Sequence, residues 1–366
     1  MRGMLRTLRY VRSWQGDADV SIRDVEILRD GSAVPATLFL PNRSHARLPG
    51  WIAIGGVSMM GRHHPQLVRF SRALAASGAA VLVPEIPEWR RLAVSPVVAG
   101  PTIRGSIEFL RGRSDVRPGK CGLIGFSFGA PQVAIAAARE EVSEHIGGIV
   151  LFGAYCCLER TLICQLTGDH EWEGTDYSLS PDPYGGWIVG SNHLTDIPGF
   201  EDAHDVAGAL HHLATAASGQ RISAWEPHHD LMIEELRSAL PERRRPLFDL
   251  FATPSGMGAR SEPEERRGMA VLLAEACRRV EPLLEPAPEL AQVGLPTRLI
   301  HGQGDRLIPF TESSRLMSGL PEGARRGLTV TGLFSHSADH APAALSDRAR
   351  EQVRMFGAIR GMINTV

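Results

Sequence analysis

The stretch KCGLIGFSFGAPQVAIAAARE, residues 120–140, decides the fold that we predict for this chain. Its first part, up to Phe126, is a short apolar run of the kind that forms a buried strand. Its second part is rich in alanine and other good helix formers, so we expect a helix from Ser127 to about Glu140. Gly125-Phe126-Ser127-Phe128-Gly129 lies between them. The two glycines favour a tight strand-to-helix turn that lifts the Ser127 hydroxyl above a sheet, because a Cβ at either flank would clash.

The same alternation of short apolar runs and helical patterns continues on both sides of this turn, which predicts a largely parallel sheet with helical crossovers. A hairpin is predicted over 20–40, turning at Asp30-Gly31, with further strands near 51–56, 79–85, 145–153, 296–302 and 327–332. Residues 155–290 lack this rhythm and show mainly helical patterns. We therefore predict an α/β core formed by residues 1–154 and 291–366, interrupted by a mainly helical cap at 155–290.

Size and composition exclude several other classes of protein. The 366 residues, 43% hydrophobic and 22% charged, can bury a sizeable core. A formal net charge of −2 gives no field that would attract nucleic acid or an acidic membrane. No secretory signal or membrane-length apolar run occurs, and the five cysteines follow no disulfide or zinc pattern. We expect a cytoplasmic protein with no nucleic-acid or membrane partner, and a homo-oligomer is left open.

A serine hydroxyl becomes a good nucleophile only when a base accepts its proton and a carboxylate orients that base. Asp305 follows the strand at 296–302, and His336 follows the strand at 327–332. Both lie after strand ends, where open α/β sheets collect their catalytic groups. We predict that Ser127, His336 and Asp305 act as nucleophile, base and acid. The alternatives are a plain Gly/Ser turn at Ser127 and a solvated loop carboxylate at Asp305.

The choice of base has a competitor. His340, oriented by Asp339, is the alternative to His336. We favour His336 because it comes sooner after the strand, in a loop rather than in the closing helix. His301, at a strand end beside Asp305, is expected to pack behind the acid.

Acyl transfer also needs backbone N–H groups that face the developing oxyanion. One is expected from Phe128, which follows the nucleophile, and the other from the loop at 55–61. Val57 is the first choice for that second donor, with Ser58 as the fallback. Met59 and Met60 in the same loop are expected to form an adaptable apolar wall for the substrate.

These motifs together, GFSFG at 125–129, HGQGDRLIP at 301–309 and GLFSH at 332–336, resemble the α/β-hydrolase superfamily. The resemblance extends over about 1–154 and 291–366. It implies an eight-stranded, mostly parallel sheet with a cap inserted after the sixth strand. Gly55 stands where many relatives carry a histidine, a departure that bears on Val57 and not on the triad. The cap matches no named subfamily, so the resemblance implies no particular substrate.

The chain is therefore predicted to be a serine hydrolase that cleaves a carboxylic ester or thioester of a small molecule through an acyl-enzyme. Acyl transfer to an acceptor other than water, and ligand binding without catalysis, are the alternatives. No nucleotide-binding glycine motif is present, and the adjacent histidines lack metal-ligand spacing, so no cofactor or metal is expected. The aromatic residues of the cap either line the pocket or form the cap's own core. These residues are Trp172, Tyr177, Tyr184 and Trp187.

Overall fold

A computed structural model describes residues 2–16, 18–42, 46–220, 222–255, 259–333 and 345–366. The strands are β1 Val20–Arg29, β2 Ser32–Pro41, β3 Gly50–Ile54, β4 Ala80–Pro84, β5 Cys121–Phe126, β6 Ile146–Phe152, β7 Asp169–Trp172, β8 Thr175–Ser178, β9 Thr297–Gly302 and β10 Arg325–Thr331. The helices are α1 Arg2–Gln15, α2 Pro65–Ala76, α3 Pro87–Arg90, α4 Ala99–Arg111, α5 Gly129–Ala137, α6 Glu140–Ser143, α7 Leu158–Thr167, α8 Tyr184–His193, α9 His204–Gln220, α10 Asp230–Ala239, α11 Arg245–Asp249, α12 Pro263–Val280, α13 Phe310–Gly319 and α14 Leu345–Ile363.

Eight strands of the described chain form one sheet, in the order β1-β2-β4-β3-β5-β6-β9-β10. The β1–β2 and β2–β4 pairs are antiparallel, and the other neighbours pair in parallel. Asp30 and Gly31 at the first hairpin have φ of +49° and +82°, the left-handed pair that a two-residue turn between twisted strands requires. The predicted fold class, a mostly parallel eight-stranded sheet, is confirmed.

Helices cover both faces of this sheet, which is why its central strands are apolar at every position. β3 and β4 are buried along their whole length. On one face Trp51 packs with Phe70 of α2 and Met362 of α14. On the other face Ile52 packs with Ile103 of α4 and with α5. Parallel strands buried on both sides bring their carboxyl ends to a single edge, where the loops that carry Ser127 and Asp305 begin.

The first helix, α1, was not predicted from the sequence. Its basic residues alternate with apolar ones, and its buried face carries Tyr10, whose ring meets that of Phe70 edge-on at 5.8 Å. Only one face of α1 contacts the core, so the helix has few apolar positions from which it could have been predicted.

Residues 155–290, which we call the cap segment, lie between β6 and β9 in the chain. They include α7 to α12 and the hairpin β7–β8. The segment has its own apolar cluster, in which Trp187 and Phe248 are fully buried. The hairpin differs from the predicted helical character. Its strands are four residues long and contain no buried residue, so they lack the alternation of buried and exposed positions by which a strand is detected.

Candidate active site

Ser127 stands at a sharp turn between β5 and α5. Its φ is +52°, a left-handed conformation that side-chain-bearing residues rarely adopt. Its N–H donates to the Phe152 carbonyl at 2.8 Å, and its own carbonyl accepts the N–H of Ala130 at 2.9 Å. A Cβ on Gly125 would lie 2.5 Å from the Cα of Ala130, and one on Gly129 would lie 2.2 Å from a backbone oxygen. Both flanking glycines are therefore required by close backbone approach.

The loop at 55–61, which we call the glycine loop, lies directly beside the serine. A Cβ on Gly56 would be 3.3 Å from the Ser127 Oγ. Val57 follows Gly56 and Phe128 follows Ser127 in the chain, and both are half-buried. Within the described residues neither backbone N–H donates a hydrogen bond. Unpaired amides of this kind can hold an oxyanion when they face it.

Asp305 follows β9 and is fully buried. Its Oδ1 accepts the N–H groups of Leu307 at 3.0 Å and Ile308 at 3.1 Å, so the loop it begins is folded around the carboxylate. In the sheet β9 is separated from β5 by β6 alone. Ser127 and Asp305 therefore lie at the same edge of the sheet, two strands apart.

His301 packs behind this carboxylate, as expected. Its Nε2 is 3.6 Å from the Asp305 Oδ2, and both side chains are fully buried. Nε2 is also 2.8 Å from the Ile308 carbonyl oxygen, which can only accept, so Nε2 carries a proton. Nδ1 is 2.6 Å from the Ser313 Oγ. With both nitrogens engaged, His301 supports the Asp305 loop and has no free nitrogen for substrate.

His336, the predicted base, lies outside the described residues, as do its alternatives Asp339 and His340. The strand that precedes them is described. β10 pairs in parallel with β9, and the N–H of Gln303 donates to the Thr331 carbonyl at 3.0 Å. The strand that precedes His336 in the sequence is therefore the sheet neighbour of the strand that precedes Asp305.

Met59, one of the two residues of the predicted apolar wall, lies on the glycine loop beside other apolar side chains. Met59, Val57 and Phe128 are half-buried and pack against the apolar cluster of the cap segment. Trp89 meets the Phe128 ring edge-on at 5.0 Å from the core side. Met60 is half-buried and precedes a short 3₁₀ turn. The surroundings of Ser127 are thus largely apolar on the cap side.

Sequence reasoning missed a charged cluster that supports the glycine loop. Glu85 is buried directly after β4, with Arg62 at 3.8 Å and Arg90 at 3.7 Å. Burial raises the pKa of Glu85, and the nearby arginines oppose this shift. The Nε of Arg90 also donates to the Met59 carbonyl at 3.1 Å. A signal existed, because Glu85 follows a strand end just as Ser127 and Asp305 do.

The other aromatic and histidine residues singled out from the sequence lie outside this site or contribute to packing. Trp187 belongs to the cap core and donates to the Phe251 carbonyl at 2.9 Å, and the buried His229 packs edge-on against it. His211 and His212 are exposed and line a surface depression of about 460 Å³ on α9. Among the described residues no cluster of His, Cys, Asp or Glu is arranged to hold a metal ion. None of the described helices is long and apolar enough to cross a membrane.

The sheet order and the turn at Ser127 define an α/β-hydrolase fold. No protein-family model matches the sequence, and no curated protein matches it either. Similar solved structures include a dienelactone hydrolase from Anabaena variabilis, at 12% identity and a TM-score of 0.44, covering 93% of this chain and 97% of the other. Brefeldin A esterase, a bacterial homologue of human hormone sensitive lipase, has 16% identity and a TM-score of 0.49, with coverages of 98% and 86%. A Pyrobaculum calidifontis esterase has 16% identity and a TM-score of 0.48, with coverages of 98% and 91%.

Proposed function

We propose that this protein is a serine hydrolase that cleaves carboxylic esters or thioesters of small molecules. The observation that carries the proposal is the left-handed backbone of Ser127 at the tight turn between β5 and α5. Such a conformation costs on the order of 1–3 kcal/mol and persists where surrounding structure imposes it, most often at functional sites. A turn that merely packed a helix on a strand would be served at lower cost by a third glycine.

The proposed reaction begins with attack of the Ser127 Oγ on the substrate carbonyl carbon. His336 accepts the hydroxyl proton, and Asp305 stabilises the imidazolium that forms. The N–H groups of Val57 and Phe128 hold the oxyanion of the tetrahedral intermediate. His336 then returns the proton to the leaving alcohol or thiol. Water attacks the acyl-enzyme by the same route and releases the acid.

The environment of these groups supports a partly apolar substrate. Val57, Met59 and Phe128 present apolar surface that is continuous with the cap cluster, so a hydrocarbon acyl or alcohol group would bury against them. We propose Met59 and Met60 as substrate-binding residues on this side. Asp305 is withdrawn from solvent, which strengthens its interaction with a positively charged base.

The test compares hydrolysis of p-nitrophenyl esters of increasing acyl length by the wild type and by Ser127→Ala. We expect the variant to lose a factor of roughly 10³–10⁶ in kcat. Ser238→Ala, an exposed serine on α10, is the matched control and should retain full activity. A fluorophosphonate should label the wild type at Ser127, located by peptide mass. Retention of most activity in Ser127→Ala would contradict the proposal.

One observation favours acyl transfer as a second candidate function. The cap cluster packs directly against the loops beside Ser127, and a covered site limits the access of water to an acyl-enzyme. The assay is therefore repeated with added short alcohols and amines. A transferase would release p-nitrophenol faster when the acceptor is added and would form the acyl-acceptor product. A hydrolase would form chiefly the free acid.

A further inference from the structure

The glycine loop is held by the cap segment through a hydrogen bond between residues 159 positions apart. The Met59 N–H donates to the Ser218 Oγ of α9 at 3.1 Å. On its other side the Met59 carbonyl accepts the Nε of Arg90 at 3.1 Å. The backbone of Met59 is therefore held by two parts of the molecule. The cap segment binds its N–H, and the core binds its carbonyl.

The cap segment also holds the Asp305 loop. The N–H of Asp182 donates to the Arg306 carbonyl at 3.3 Å, and Gln165 Nε2 donates to the Leu307 carbonyl at 2.9 Å. The Asp182 Oδ1 in turn accepts the N–H of Tyr184 at 3.1 Å. Tyr184 is the first residue of α8, so this contact joins the Asp305 loop to the beginning of that helix.

Tyr184 lies between these two points of attachment. Its backbone N–H donates to the Asp182 Oδ1, and its phenol lies near Ser218. Burial raises the pKa of this phenol to about 12, and the Ser218 side chain opposes that rise. The Ser218 Oγ itself accepts the Met59 N–H.

We infer that Ser218 is a positioning residue that holds the glycine loop so that the Val57 N–H faces the oxyanion formed at Ser127. This inference rests on the proposed function. Gly55 and Gly56 give the loop little rigidity of its own, and Val57 lies between them and Met59. An oxyanion donor contributes fully only when it is held in place before the reaction, and a misplacement near 1 Å costs on the order of 100-fold in rate.

The experiment measures kinetics of Ser218→Ala on the best ester found for the wild type. We expect kcat to fall about 10- to 100-fold in Ser218→Ala, with KM changed less than about twofold. The affinity for a trifluoromethyl ketone, which forms a tetrahedral oxyanion adduct, should weaken by a similar factor. Ser218→Thr should restore most of the loss.

A second readout does not depend on activity. Hydrogen exchange of the Met59 amide should quicken in Ser218→Ala and stay unchanged in the control Ser238→Ala. A rise in KM with unchanged kcat and ketone affinity in Ser218→Ala would overturn the positioning role, as would unaltered Met59 exchange. Failure of the proposed function is a different result, namely wild-type turnover in Ser127→Ala, whatever Ser218→Ala does.

Discussion

Gly56 and Ser127 lie so close that a Cβ on the glycine would be 3.0 Å from the Ser127 Cβ and 3.3 Å from its Oγ. The closeness follows from the sheet, because β3 and β5 are parallel neighbours and Ile54 lies opposite Gly125. The loop after one strand and the turn after the next therefore share one small space. The absence of a side chain at Gly56 leaves room for the serine and for the carbonyl that it would attack.

Gly56→Ala tests this relationship. The added methyl is expected to displace the Ser127 hydroxyl or the glycine loop and to lower kcat at least about 10-fold, because misplacement of reacting groups is costly. Esterase kinetics and Ser127 labelling by a fluorophosphonate would measure it. Gly268→Ala is the matched control, because its Cβ meets nothing within 4 Å and an alanine within α12 should only stabilise the helix. Equal activity in both variants would refute the argument.

Ser127→Gly tests the strain at the turn. Glycine adopts positive φ without steric cost, so this variant should be more stable than Ser127→Ala by about 0.5–1 kcal/mol, while both lose turnover. Urea unfolding of the two variants gives the comparison, and since both lack the hydroxyl the difference reports the backbone. Equal or lower stability of Ser127→Gly would show that the turn is not strained.

Substitution of the two candidate bases decides between them. His336→Ala should lower kcat by about 10³-fold or more, as removal of a triad member does, whereas His340→Ala should retain activity within a few-fold. The pH profile of kcat/KM in His340→Ala should keep the wild-type acidic limb. The reverse pattern would assign the base to His340.

A pH-dependent contribution to stability is expected from Glu88 and Arg29. The guanidinium donates to both carboxylate oxygens, at 2.7 and 2.9 Å, and these bonds hold the pKa of Glu88 below its ordinary value. A carboxyl whose pKa is lowered by folding contributes stability above its unfolded pKa, about 4.3, and this is lost as pH falls through the folded pKa. Glu88→Gln should therefore cost about 1 kcal/mol at pH 7 and progressively less below pH 4.

Thermal unfolding of wild type and Glu88→Gln between pH 7 and pH 3 measures this difference. Glu26→Gln, an exposed glutamate on β1, is the control and should behave like the wild type. A gap between the curves that stays constant with pH would mean that Glu88 contributes by packing and not by charge.

The parts of the site that could be predicted are those set by local chain geometry. Ser127 is recognisable because two glycines and a strand–helix junction are adjacent in sequence. His301 is recognisable because it lies near the end of a buried strand, and Asp305 because it follows the same strand closely. Ser218 gives no such signal. It is one small polar residue in a helix, and its role depends on the hydrogen bond that it accepts from Met59.

The sequence by itself determined how the main strands and helices of the core alternate from β1 onward, the hairpin turn at Asp30-Gly31, and the serine turn. These features follow from backbone sterics and from the burial of short apolar runs, which act between residues near in the chain. Only the tertiary structure decided that Gly56 faces Ser127 and that Glu85 and Arg90 hold the glycine loop. It also decided that Ser218 joins the cap segment to the glycine loop and that Asp182 and Gln165 join it to the Asp305 loop. Those contacts depend on how separate elements pack, and a pair 159 residues apart has no local pattern by which its partner could be found.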